Sequence, residues 1–167
     1  NDAFALALGA SPAWTGFTPV NPPQGRQFHT VTYDPIGDRM LAFGGSSGPI
    51  LSDTWALPLG APTAWVPLSG TRRKGHSALY DTARGRMVVF GGQNATTLND
   101  VWELSLGTMP TWARLAPTGT PPTPREDVAA AYERGVVVGV ADPEDHQRRG
   151  RRVCQRVRAD LTGVGVG

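Results

Sequence analysis

One cysteine, Cys154, stands in the whole 167-residue chain. That excludes an internal disulfide and a cysteine-based zinc site. Lysine is as scarce: Lys74 is the sole one, and every other basic residue that is always charged is an arginine. Charged residues make up 18% of the chain, below the roughly one quarter usual for a soluble domain. No apolar run approaches the ~20 residues that a membrane-spanning helix needs. The apolar opening from Ala3 to Ala10 has neither a basic leader nor a cleavage site, so no secretory signal is read there. The composition is also short of what a helical bundle or coiled coil requires. What is there instead is 21 Gly and 15 Pro, with 40% hydrophobic residues and five Trp, five Phe and three Tyr. The aromatics, in patterned places, argue against disorder.

Repetition governs the middle of the chain, and a fixed period is the mark of a repeat architecture. Arg26-x-x-His29 returns as Arg73-x-x-His76, Tyr33-Asp34 as Tyr80-Asp81, and Arg39-Met40 as Arg86-Met87. Phe43-Gly44-Gly45 returns as Phe90-Gly91-Gly92. Asp53-x-Trp55-x-Leu57-x-Leu59-Gly60 returns as Asp100-x-Trp102-x-Leu104-x-Leu106-Gly107, and Trp65-x-x-Leu68 as Trp112-x-x-Leu115. All these pairs are 47 residues apart, as 26 is from 73. The flanks hold partial copies. Asp2-x-Phe4-x-Leu6-x-Leu8-Gly9, followed by Trp14, matches the second half of the unit. Arg125 opens another unit, in which Ala130-Ala131-Tyr132 echoes Ala78-Leu79-Tyr80. The chain thus reads as a half unit over 1–20, whole units over 26–68 and 73–115, and a degenerate start over 125–140. Beginning in mid-unit, it reads as a fragment.

Inside a unit the hydrophobic period is two. Trp102, Leu104 and Leu106 alternate with Val101, Glu103 and Ser105, which predicts a half-buried strand. Arg86 to Phe90 is a near-continuous apolar strand, His76 to Tyr80 a short one, and Thr111 to Leu115 a fourth. Asp81 to Gly85 predicts a hairpin loop, and the Pro-rich stretch from Pro117 to Pro124 cannot be central strand. Four strands in a repeated unit of this length predict an all-β fold, a partial β-propeller of four-stranded antiparallel blades: about two complete and two partial. The unit Arg-x-x-His, Val-Val-Phe-Gly-Gly, Asn-Asp-Val-Trp, Trp-x-x-Leu resembles the kelch repeat over about residues 1–132. Two features depart from that family: Leu57 and Leu104 stand where a Tyr is usual, and the units are too few to close a ring.

The recurring residues read first as architecture. Gly44, Gly45, Gly91 and Gly92 end the second strand of each unit, where glycine permits positive φ and close backbone approach. They do not make a phosphate loop, since no Gly-Lys-Ser/Thr follows. Trp55, Trp102, Trp65 and Trp112, with Phe4 and Trp14, read as packing between blades. His29 and His76 occupy one slot in successive units and read as structural hydrogen-bonding groups; no third ligand converges on them for a metal. Asp53 and Asp100 read as fixing the turn before the third strand. Arg26, Arg73 and Arg125 sit where a connector enters a unit. The kelch resemblance implies that loops on that face bind partners, so these three are the candidate binding residues, with a salt bridge or carbonyl cap as the structural alternative. Asn94-Ala95-Thr96 fits a glycosylation acceptor if the protein is secreted.

After Tyr132 the unit decays, and the segment 141–167 is Arg-rich without periodicity, with six Arg and no acid between His146 and Arg158. Three readings stay open for it: a solvated or disordered terminus, a basic tail that binds nucleic acid or acidic lipid, and translation in a shifted frame. The third has one internal support: Asp145 to Arg149, back-translated and shifted by one base, can read Thr-Thr-Asn-Asp-Val, close to Thr96 to Val101. Nucleic acid is not an expected partner, because the stacking aromatics are missing.

No catalytic residue, metal or cofactor is assigned. Sialidase-type Asp boxes are absent, and the acids recur at turns rather than as a facing pair for glycoside hydrolysis. The expected function is a non-catalytic kelch-repeat propeller segment that scaffolds a protein or carbohydrate partner, with self-association through open blade edges as a further expectation. The alternative is a piece of a propeller enzyme such as a galactose oxidase-like copper oxidase. A secreted or cell-surface bacterial setting is expected, with a cytoplasmic one open.

Overall fold

Period-two alternation becomes antiparallel sheet. The structure, a computed structural model, describes residues 3–60, 63–133 and 136–140; the readings of the tail at 141–167 therefore lie outside the described residues. Among the described residues twelve strands follow one another: β1 (Ala3–Ala7), β2 (Ala13–Phe17), β3 (Thr30–Asp34), β4 (Arg39–Phe43), β5 (Thr54–Pro58), β6 (Val66–Leu68), β7 (Ser77–Asp81), β8 (Arg86–Phe90), β9 (Val101–Ser105), β10 (Thr111–Leu115), β11 (Ala129–Glu133) and β12 (Val136–Val140). No helix occurs among the described residues, so none is long and apolar enough to cross a membrane. Each strand pairs with its sequence neighbour, giving two four-stranded meanders, β3-β4-β5-β6 and β7-β8-β9-β10, and two hairpins, β1-β2 and β11-β12.

Repeated sequence produces repeated register. Thr30 faces Phe43 as Ser77 faces Phe90 and as Ala129 faces Val140. Thr54 faces Leu68, and Ala3 faces Phe17 in the same way. Short turns hold these registers. Asp34 accepts the backbone N–H groups of Ile36 and Gly37 on one carboxylate oxygen, both at 3.1 Å, an Asx-type turn that replaces backbone pairing with side-chain acceptance.

The core lies between the two meanders. Leu41, Phe43 and Ala56 from one sheet meet Met87, Val89 and Leu104 from the next, with Leu68, Ala78, Trp102, Leu106 and Trp112 packed around them. Alternate residues of each strand supply this layer, as sheet-on-sheet packing requires. Phe43 lies 4.6 Å, ring centre to ring centre, from both His76 and Trp112. Each fully buried side chain of this size contributes roughly 1.5–3 kcal/mol. Two expected packing residues are not in any core: Phe4 is 62% and Trp14 70% exposed. They belong to a two-stranded hairpin, and among the described residues no sheet lies against that face.

Successive units are also tied along their first strands. β7 neighbours β3 on one side and β11 on the other. Just ahead of these strands, Gly75 donates its backbone N–H to the carbonyl of Phe28 at 3.0 Å, and Asp127 donates to that of Gly75 at 2.7 Å. The three residues hold one place in three successive units and share a left-handed backbone, with φ of 59°, 58° and 56° at Phe28, Gly75 and Asp127. The result is a ladder of hydrogen bonds that runs from unit to unit.

Candidate functional site

The recurring Arg and Asp find each other within their own sheet. Arg26 donates from Nη1 and Nη2 to the two carboxylate oxygens of Asp53 at 2.6 and 2.9 Å, and caps the carbonyl of Gly44 at 3.0 Å. Arg73 repeats this on Asp100 at 2.7 and 3.0 Å and caps Gly91. The indole Nε1 of Trp55 donates to Asp53 at 2.6 Å, and that of Trp102 to Asp100 at 2.7 Å. Bidentate pairing is the strong form of a charged hydrogen bond. Arg26 holds Asp53 below the usual carboxylate range. At Asp100 burial acts the other way, but Arg73 and Trp102 prevail and its pKa is also lowered. The Arg73 side chain is only 3% exposed. Both guanidinium groups are therefore engaged in the structural alternative, salt bridge together with carbonyl cap. Arg125 differs: it turns back on its own connector, donating to the carbonyl and hydroxyl of Thr123 at 2.9 and 3.0 Å.

The backbone of the same arginines reaches the preceding sheet. Gly45 donates to the carbonyl of Arg73 at 2.8 Å, and Arg73 to that of Leu51 at 3.1 Å. Gly92 donates to Arg125 at 2.8 Å, and Arg125 to Leu98 at 2.9 Å. Arg73 is thus a staple, its main chain on one sheet and its side chain on the next. The double glycines make room for it. Gly44 and Gly91 have φ of +61° and +64°, and a β-carbon there would collide with the carbonyl oxygens of Arg73 and Arg125 respectively.

The two histidines share a slot in sequence but not in environment. His76 is 4% exposed, and its Nε2 is 2.7 Å from the hydroxyl of Thr30 in the preceding sheet. Its Nδ1 is buried without a partner. Burial, then Arg73 and His29, lower its pKa to about 3, so the ring is neutral at physiological pH. His29 is exposed at the surface; burial and then Arg26 lower its pKa. Among the described residues no first strand of a preceding unit lies beside β3 to receive His29 as β3 receives His76.

A second repeated cluster lies at the opposite end of the sheets. Arg39 donates to Asp34 at 2.8 Å and to the carbonyl of Leu106 in the next sheet at 3.1 Å. Arg86 donates to Asp81 at 3.0 Å and also pairs with Glu103. Tyr132 donates its hydroxyl to Asp81 of the preceding unit at 2.8 Å. Burial opposes it, but Tyr132, Arg86 and Arg84 bring Asp81 down to about 2. Tyr80 takes the matching place toward Asp34. Its hydroxyl has no partner at hydrogen-bond distance, and burial followed by Asp34 pushes it up to about 12. Asp34, Tyr80, Arg84, Arg86 and Glu103 line a cleft here between the two sheets. Tyr33-Asp34 and Arg39 recur in the sequence at the same spacing as everything else, which was the available signal for this cluster.

Among the described residues no group of three or more His, Cys, Asp or Glu could hold a metal ion. The loops between second and third strands vary in sequence. Residues 46–50 and 93–97 follow one backbone plan: Gln27 bridges Ser46 and Ser46 bridges Ile50, as Lys74 bridges Gln93 and Gln93 bridges Thr97. Ser47 donates to the carbonyl of Pro49 and Asn94 to that of Thr96, both at 3.1 Å. Yet Ser-Ser-Gly-Pro-Ile and Gln-Asn-Ala-Thr-Thr share no residue at any position. No protein-family model matches the chain, and no curated protein matches it.

Proposed function

We propose that this chain is a segment of a kelch-type β-propeller and works as a non-catalytic scaffold that binds a protein or a glycan. The observation that carries the reading is the contrast between frame and loops. Residues 46–50 and 93–97 share their backbone hydrogen bonds and none of their side chains. A fold that holds a loop's geometry while changing its surface presents variable contacts on a rigid support, the usual division between scaffold and recognition. The charged residues of the frame are already occupied: Arg26 and Arg73 by Asp53 and Asp100, Arg39 and Arg86 by Asp34 and Asp81.

Loop exchange tests the reading. Residues 93–97 are replaced by the sequence of 46–50, and parent and variant are compared on an array of immobilised glycans and in solution against any protein partner the parent selects. The exchange should leave the circular dichroism unchanged and abolish the parent's binding. Equal binding by both, or copper-dependent oxidation of a sugar alcohol by the parent, would overturn the proposal.

A further inference from the structure

The connectors that follow β6 and β10 have equivalent ends and unequal lengths. Arg73 donates its backbone N–H to the carbonyl of Leu51, and Arg125 donates to that of Leu98, so both arginines enter their units at one place in the frame. Leu68 and Leu115 hold the matching places at the ends of β6 and β10. Four residues, 69–72, cross the gap after β6, and nine, 116–124, cross the gap after β10. Four residues are therefore enough for the crossing, and the second connector carries five that the frame does not require. All nine are exposed, and none of them lies in a strand.

The longer connector restricts its own backbone. Thr120-Pro121-Pro122-Thr123-Pro124 holds three prolines in five residues. Proline fixes φ at about −65°, and the residue before a proline is held in the extended or polyproline region. Every residue from 120 to 124 is a proline or the residue before one, so the segment follows a polyproline II course by its covalent structure alone. A turn of that helix takes about three residues, which puts Pro121 and Pro124 on one edge. Two braces tie the segment to the frame between these prolines. Asn99 donates its side-chain amide to the carbonyl of Pro122 at 3.1 Å. Arg125 donates to the carbonyl and hydroxyl of Thr123 at 2.9 and 3.0 Å. Pro121 and Pro124 themselves remain exposed. The other Pro-Pro pair, Pro22-Pro23, sits in a connector bound into the frame, where Val20 exchanges backbone hydrogen bonds with Thr63 and Trp65.

We propose that residues 120–124 are a docking ligand for a partner domain with an aromatic-lined groove, Pro121 and Pro124 filling two successive slots. Grooves of that kind read proline-rich segments in the polyproline II form, whose shape exists before binding. A segment held in its bound shape gives up little freedom on docking, which favours affinity. Prolines at 121, 122 and 124 hold this one along the chain, and Asn99 and Arg125 hold it from the side. The site is separate from the loops at 46–50 and 93–97 and does not depend on what they bind.

An array of purified SH3 and WW domains, which carry such grooves, is probed with the full chain, and each domain that binds is titrated. At least one should bind the parent. Pro121→Ala/Pro124→Ala, altered at exposed positions, should keep its circular dichroism and weaken that binding at least tenfold. The variant in which 93–97 carries the sequence of 46–50 should bind as the parent does. An array on which no domain binds the parent overturns the proposal. So does a domain that binds the double proline variant as tightly as the parent, or one released by the loop exchange alone, which would assign the contact to the loops.

Discussion

Arg73 shows what one residue can hold. Its guanidinium is buried, neutralised by Asp100 and tied to Gly91. Removing one partner of a buried pair leaves the other charge stranded, which costs about 3–5 kcal/mol. Asp100→Ala should therefore lower the unfolding free energy by that order, read from the urea midpoint at constant slope. His76 makes a second prediction. Its pKa falls from 6.5 in the unfolded chain to about 3 in the fold, so between those values the unfolded chain binds the extra proton. The contribution is whole above pH 6.5 and is lost as pH falls toward 3. Urea titrations at pH 7, 5 and 4 should show that decline, and His76→Gln should flatten it. Asp81 adds loss at lower pH, from its ordinary value near 3.8 down to about 2, because its carboxylate is stabilised only in the fold.

The elements are joined by contacts that sheet hydrogen bonding alone does not supply. Tyr132 on β11 donates to Asp81 at the end of β7. A hydrogen bond to a charged group is worth roughly 1.5–3 kcal/mol. Tyr132→Phe should lower stability by about that amount and raise the pKa of Asp81, which a carboxylate-resolved NMR titration would read. Gly92 governs the junction of β8 with the next connector, where both its φ of +87° and the Lys74 carbonyl oppose a side chain. Gly92→Ala should cost at least the ~1–3 kcal/mol of a strained backbone position; unchanged thermal stability would show that the junction can shift. Much of this level was legible beforehand: the strands, their order and the glycine turns all follow from period and spacing. Arg-to-Asp pairing was legible only as an option, because a spacing of 27 residues, from 26 to 53, does not say which strands curl toward each other.

At the scale of the whole molecule, units are added one after another and each buries the face of its neighbour. Repeat proteins of this kind owe their stability to unit and interface terms together. Apolar faces without a neighbour among the described residues, at Phe4, Leu6 and Trp14, are then the natural seats of association. If a second copy covers them, dissociation and unfolding are linked and the melting temperature must rise with protein concentration. Calorimetry over a hundredfold range of concentration should show that rise in the parent and lose it in Leu6→Glu.

By itself the sequence determined the unit, its strand count and the alternation within each strand, because a period of two is the mark of a half-buried strand and the 47-residue spacing repeats it. Tertiary structure alone decided which copies of a repeated residue are buried. His29 and His76, Leu6 and Leu57, Trp14 and Trp112 are equivalent in sequence and unlike in environment. Burial belongs to a face and to whatever lies against it, and the face against a strand is supplied by another unit far along the chain.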